Sequence, residues 1–376
     1  MVNSPRNQRS GDIESSSRPF EAPARARIPL VYLIRSADMY GTERMALATM
    51  EGLAADFQVI LLGPLGPAIF EAQKLGFETR AFKSTAQLIR IFFQLLRKHD
   101  SLIFVSTFSR YSILFMLINF LARKKVRIFQ AIHGGGNEQE DYAGLHRFNG
   151  FDITFITVSE YSRGRLMHHG VRPDHIAVVG NFLTRRQLDA MPRRPRFERD
   201  GVRKIVVVAR VDPPKRVDLL LDALDRCGEE LRDVSFRILG EGPDLERLRD
   251  RAARTHPNVC FAGYVDNVGE ELAGADLLLH TCAVETFGMA VLEAMAANLP
   301  ALVPDAGGTA TLVREGENGF TFHADDAAHL AARLIELKNA PAELLNRIAG
   351  EAQNYCATQC SEEASVGKYR ELFAPR

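Results

Sequence analysis

The stretch Val284-Glu285-Thr286-Phe287-Gly288-Met289-Ala290-Val291-Leu292-Glu293-Ala294-Met295-Ala296 decides the fold. Its alanine, methionine and leucine run reads as a buried helix that opens with Glu285 and carries Glu293 eight positions later. Residues 275–280 before it and 299–304 after it read as buried strands. A carboxylate, a glycine and a helix N-terminus therefore meet at the carboxyl end of a parallel strand, where open α/β sheets bind ligands. A helix start presents free N–H groups and a positive dipole end, which suits phosphate. Carboxylates beside a phosphate suit a polyhydroxylated ligand, with Glu285 and Glu293 as acceptors for its hydroxyls.

Outward from this stretch the same alternation continues. Strands are expected at 28–34, 57–62, 102–105, 127–132, 153–158 and 176–179, with a helix from about Thr42 to Ala54. The pattern breaks over 184–203, where two prolines and many charges replace periodicity. A second series then begins, with strands at 204–209, 235–239, 258–262, 276–280, 301–303 and 319–322. The domain reading is a disordered tail over 1–27, a doubly wound domain over 28–184, a linker over 185–203, a second doubly wound domain over 204–355, and a terminal helix over 356–376. Two such domains leave a cleft between them.

Bulk composition narrows the function. Hydrophobic residues make up 46% and charged residues 25% of 376 residues, with formal net charge zero, so a nucleic-acid partner is not indicated. Five scattered cysteines are no disulfide framework and fit a reducing compartment, and Cys356 and Cys360 read as a chance pair. The first 27 residues lack the apolar core of a signal peptide. Residues 111–122 are apolar but too short to span a membrane. Flanked by Arg110, Arg123, Lys124, Lys125 and Arg127, they read as a core helix of the first domain, with contact to an anionic membrane surface as the other reading.

Several strand ends carry chemistry. Arg210 and Lys215 follow the strand at 204–209, and two fixed cations there would neutralise a diphosphate. Gly240-Glu241-Gly242-Pro243 ends another strand and permits a tight turn. In the first domain, His133 closes a strand and precedes Gly134-Gly135-Gly136. No Asp-x-Asp segment occurs, so no metal clamp is expected.

Glu285 and Glu293, with Phe287-Gly288 between them and Pro304-Asp305-Ala306-Gly307-Gly308 after them, resemble the E-x7-E signature of retaining glycosyltransferases of family 4. The resemblance is specific from about Arg210 to Phe320 and looser before that. It implies the GT-B fold: two Rossmann-like domains facing across a cleft, with a terminal helix returning to the first. It implies transfer of a sugar from a nucleotide-sugar donor to a hydroxyl acceptor, a glycan or lipid-linked glycan, with front-face attack and retained configuration. Arg210 and Lys215 would take the pyrophosphate, Glu285 the donor sugar, Glu293 the ribose, and the backbone of Phe287, Gly288 and Met289 the sugar and phosphate side. Val265 would offer backbone groups to the base, and Gly240 and Gly242 would lie beside the nucleotide. Gly307 and Gly308 would sit against the ligand, His133 would touch the donor sugar, and Gly41 would belong to a loop meeting the acceptor or phosphate. Departures stand at Ala209 and Arg216, where the family often has glycine, and at Tyr40, where a second glycine is usual. The alternatives are a nucleotide-sugar epimerase and a non-catalytic nucleotide-sugar binder. The expected location is the cytoplasm or the inner face of a membrane, with no cofactor.

Overall fold

A computed structural model describes residues 27–134 and 142–374. The tail expected over 1–27 lies outside the described residues except for Arg27, as do Gly135 and Gly136. The first half forms a seven-stranded, wholly parallel sheet. Its strands are β1 (Pro29–Leu33), β2 (Gln58–Pro64), β3 (Glu78–Phe82), β4 (Ser101–Ser106), β5 (Lys125–Ile132), β6 (Ile153–Thr157) and β7 (Ile176–Val178), in the order β3-β2-β1-β4-β5-β6-β7. The second half forms a six-stranded parallel sheet of β8 (Lys204–Val208), β9 (Ser235–Leu239), β10 (Val259–Gly263), β11 (Leu277–Leu279), β12 (Ala301–Pro304) and β13 (Phe320–Phe322), in the order β10-β9-β8-β11-β12-β13.

Both sheets are covered on both faces, which is why their central strands read as continuous apolar runs. In β1, Leu30 and Tyr32 enter one core while Val31 and Leu33 enter the other. In β8, Ile205 and Val207 face one core and Val206 the opposite one. Strand order reverses between β1 and β4 and again between β8 and β11. The loops leaving those strands diverge and open a crevice at each switch point.

Three local expectations change. The helix after β11 runs Met289–Ala296, so Glu285 lies in the loop before it, not on the same helix as Glu293. Gly288 caps that helix in the left-handed region, with φ +102°, and there the chain turns from loop to helix. Strand β3 has no counterpart in the sequence reading, because Glu-Thr-Arg-Ala-Phe is a half-exposed edge with one buried position. The segment 185–203 is not bare loop. It opens with the helix Arg185–Ala190, which Thr184 and Gln187 start as a reciprocal capping box. Further on, Arg194 stacks on Phe197 at 3.3 Å and bonds Asp276 at 2.7 Å, pinning the segment to the second sheet.

The final helix, Glu362–Phe373, lies on the first domain. Val366, Tyr369 and Phe373 enter its core, and the Phe373 ring meets Phe57 and Phe129 at 6.0 and 4.8 Å. Arg370 bonds Asp56 at 2.7 Å, and Arg127 donates to the carbonyls of Leu372 and Ala374 at 2.6 Å each.

Candidate active site

Loops from both sheets enclose a cavity of about 800 Å³. Gly41 and His133 reach it from the first sheet, and Arg210, Lys215, Glu285, Phe287, Gly288 and Met289 from the second. Residues distant in sequence thus share one site because each ends a strand at or beside a switch point.

Lys215 and Glu285 are its electrostatic centre. Lys215 Nζ donates to Glu285 Oε2 at 2.5 Å, and both side chains are largely buried. Burial pushes the Glu285 carboxyl up, but the Lys215 ammonium outweighs it and holds the group below the usual carboxylate range. Burial likewise presses Lys215 down while Glu285 more than restores it, so both remain charged. The Lys215 loop is tied in place by Thr281 Oγ1, which donates to the Lys215 carbonyl at 2.7 Å. Arg216, next in the chain, takes φ +52°. That is a conformation glycine adopts freely, and it marks the place of one departure from the family pattern. Arg210 is mostly exposed, and its guanidinium is steered by buried Asp212 at 2.5 Å.

Behind Glu285 stand His280 and Cys282. Desolvation lowers His280 to about 4, so its ring is neutral, and its Nε2 lies 3.9 Å from Glu285 Oε2. Burial pushes the Cys282 thiol up. One ligand atom from each of His280, Cys282 and Glu285 lies within 4.8 Å of the others, and among the described residues this is the one such group. The donor set suits a thiophilic divalent ion. The Lys215 ammonium bonds the same carboxylate oxygen, however, and brings its own positive charge there.

His133 is half-buried, with its Nε2 enclosed and unpartnered among the described residues, and desolvation lowers the ring to about 4. Its carbonyl accepts from Thr286 Oγ1 at 2.9 Å, and Ser159 Oγ donates to the Thr286 carbonyl at 2.5 Å. Thr286 therefore bonds the first domain through both its hydroxyl and its backbone. The Phe287 ring is buried beside Gly180, where a Cβ would stand 3.4 Å from it. Sequence reasoning missed Thr286 as a cross-domain tie. Ser159 caps its helix, accepting from Ser162 N at 3.2 Å, and its hydroxyl also donates outward. A strand-end serine carries no signal of that second role.

The remaining predicted residues lie around the cavity without lining it. Gly240 and Gly242 press against the Arg210 loop: a Cβ on either would fall 2.0 Å from the Ala209 carbonyl or 2.2 Å from that of Val211. Gly308 lies beneath the Glu285 loop, donating to the Glu285 carbonyl at 2.6 Å, with Gly307 packed against Ala283. These two support the loop that carries Glu285. Val265 packs against the second domain's core. Glu293 sits one turn along the helix from Met289, and desolvation raises its carboxyl to about 7, opposed by Arg44.

Residues 192–355 match the family model described as glycosyl transferases group 1. The chain is 26% identical over 262 residues to the N-acetyl-alpha-D-glucosaminyl L-malate synthase of Bacillus anthracis, covering 66% of this chain and 68% of that protein. It is 34% identical over 187 residues to the phosphatidyl-myo-inositol mannosyltransferase of Mycobacterium leprae, covering 48% of this chain and 49% of that protein. In structure it resembles Anabaena Alr3699/HepE, solved with UDP and glucose, at a TM-score of 0.74 and 18% identity, covering 92% of this chain and 99% of that one. Residues 192–355 thus resemble the glycosyl transferases group 1 family, and the chain has the GT-B fold of a glycosyltransferase.

Proposed function

We propose that this glycosyltransferase moves a hexosyl group from a nucleotide-sugar donor to a hydroxyl acceptor, with retention of configuration and without a metal. The carrying observation is the convergence of Arg210, Lys215 and Glu285 with the start of the helix Met289–Ala296 on one interdomain cavity. As the glycosidic bond breaks, negative charge grows on the leaving diphosphate. Lys215 has three donors, one of which goes to Glu285, leaving two for phosphate oxygens. Arg210 and the amides of the helix start supply further fixed positive charge, which is electrostatic preorganisation. Glu285 then accepts from hydroxyls of the donor sugar and Glu293 from the ribose. Neutral His133 faces the sugar from the first domain, and the departing phosphate takes the acceptor proton.

Relatives support this assignment. By its name the Bacillus protein places a sugar on malate and the Mycobacterium protein a mannose on phosphatidyl-myo-inositol, and the Anabaena protein was solved with UDP and glucose. The acceptor is read as a glycan or lipid-linked glycan met at the membrane's inner face. Supporting that placement, Ile113, Leu117, Phe120 and Leu121 are exposed on the helix Ser109–Ala122, beside Arg123, Lys124 and Lys125. Among the described residues no helix is long and apolar enough to cross a membrane. The five cysteines are all free, which fits the cytoplasm.

A screen of UDP, GDP and ADP sugars tests the reading by slow donor hydrolysis and by transfer. Lys215→Ala should lower turnover by about 10²–10³-fold. Near-normal turnover in that variant would reject the assignment. An altered sugar without hydrolysis would mark an epimerase, and binding without turnover a sensor.

A further inference from the structure

A second cavity, of about 420 Å³, opens on the first-domain side of His133. It lies at the carboxyl ends of β4 and β5, and His133 and Gly134 line both this cavity and the one that receives the donor. An acceptor seated here would therefore stand beside the residue that faces the donor sugar. We propose that the cavity binds an anionic group, a phosphate or a carboxylate, carried by the acceptor; the proposal rests on the transferase reading above and names its second substrate class.

The charged side chains lining this cavity, among the described residues, are Arg35 and Arg110, and no carboxylate joins them. Both guanidinium groups stand over the Phe108 ring, at 4.7 and 5.9 Å from its centroid. Stacking on a ring orients a guanidinium plane and leaves its N–H fork free. Neither arginine forms an ion pair among the described residues. Other surface arginines of this chain commonly do, as Arg163, Arg172 and Arg370 show. Two unpaired forks on one ring, facing one cavity, are what bidentate recognition of an oxoanion requires.

The support beneath them is built. Ser106 Oγ accepts from the Phe108 amide at 3.1 Å and donates to its carbonyl at 3.0 Å, which fixes the ring's backbone. The Arg35 amide donates to Thr107 Oγ1 at 3.1 Å, joining the loop after β1 to the loop after β4. Gln130 lines the cavity while 2% exposed, and the Ser112 hydroxyl donates to its Oε1. The nearby carboxylate of Glu43 lines an adjoining cavity of about 370 Å³, whose wall Arg35, Thr107 and His133 share with the first; burial raises that carboxyl, and backbone hydrogen bonds from Glu43, Ser36 and Tyr40 oppose the rise.

The test holds the donor side constant. The full chain is saturated with the nucleoside diphosphate that the donor screen selects, then titrated with glycerol 3-phosphate and, separately, with glycerol. The expected result is binding of the phosphate at least tenfold tighter than of glycerol, and loss of that preference in Arg35→Ala/Arg110→Ala. Arg110→Lys should restore part of it, because a point charge replaces a fork. Equal affinity for the two compounds, or a preference unchanged in the double variant, overturns the proposal and leaves the donor assignment standing. Failure of every nucleoside diphosphate to bind overturns both. Phosphatidylglycerol vesicles distinguish the source of the anion. Adsorption that glycerol 3-phosphate reverses supports a lipid headgroup, and binding of the soluble phosphate without adsorption supports a soluble acceptor.

Discussion

At Lys215 and Glu285 the site's charge balance is set by one contact of 2.5 Å between two largely buried groups. Replacing Glu285 by Gln keeps the shape and removes the negative charge. On the proposed roles, transfer should fall by about 10²-fold. Affinity for the nucleoside diphosphate alone should change little, because that ligand lacks the sugar Glu285 is assigned to hold. An equal loss in both measurements would place Glu285 on the nucleotide instead. Glu293 gives a second residue-scale expectation. Its carboxyl sits near 7, so it is partly protonated at neutral pH. A charged carboxylate is the better acceptor for ribose hydroxyls. Nucleotide affinity should therefore rise severalfold from pH 6 to 8, and Glu293→Gln should flatten that rise. Glu285, Arg210 and Lys215 were legible in the sequence as charged residues just beyond apolar strands, and Glu293 as a charge inside an apolar helical run. His280, Cys282 and Thr286 were not, since each lies in or beside a run that explains itself as strand or turn.

Among the elements, the loop between β11 and the helix Met289–Ala296 depends on glycines that press on backbone. A Cβ on Gly308 would stand 2.0 Å from the Thr286 carbonyl, so the loop holding Glu285 must move to admit it. Gly308→Ala should raise the donor KM at least tenfold and lower the unfolding midpoint. Gly350, exposed in the helix Ala342–Gln359 with no atom within 4 Å of a Cβ, provides the contrast. There alanine should stabilise by about 0.5–1 kcal/mol with the donor KM unchanged. A Gly308 variant that behaved like the Gly350 variant would remove the glycine from any role in shaping the site. The physics also explains what was readable at this scale. Central strands such as β1 and β8 declare themselves, being buried on both faces. The edge strand β3 does not, because one side of it meets solvent. The helix after β11 begins four residues after Glu285 because Gly288 turns left-handed, and sequence periodicity cannot register a backbone dihedral.

Over the whole molecule, Thr286 and Phe287 join the domains on the cavity side, while the final helix rejoins the first domain from the second. Three desolvated titrating groups around the site give folding a distinctive pH dependence. His133 and His280 sit near 4 in the folded chain, below the ordinary value of 6.5. The unfolded chain then binds more protons between those values, so stability present above pH 6.5 is lost as pH falls through 4. Each histidine can contribute on the order of 3 kcal/mol at the limit. Glu293 acts in the opposite sense, its folded value of about 7 standing above the ordinary 4.5. Its burial penalty is fully present above pH 7 and fades as pH falls to 4.5, a similar magnitude of opposite sign. Two losses against one gain predict a net fall in stability from pH 7 to 5. Glu293→Gln removes the gain, so the variant should be more stable than the parent at pH 8 and converge on it toward pH 4.5, making its acid loss steeper. Urea unfolding at pH 8, 6.5 and 5 measures this directly. Parallel curves for parent and variant would mean that Glu293 is not held in the desolvated setting on which its pairing with the ribose depends.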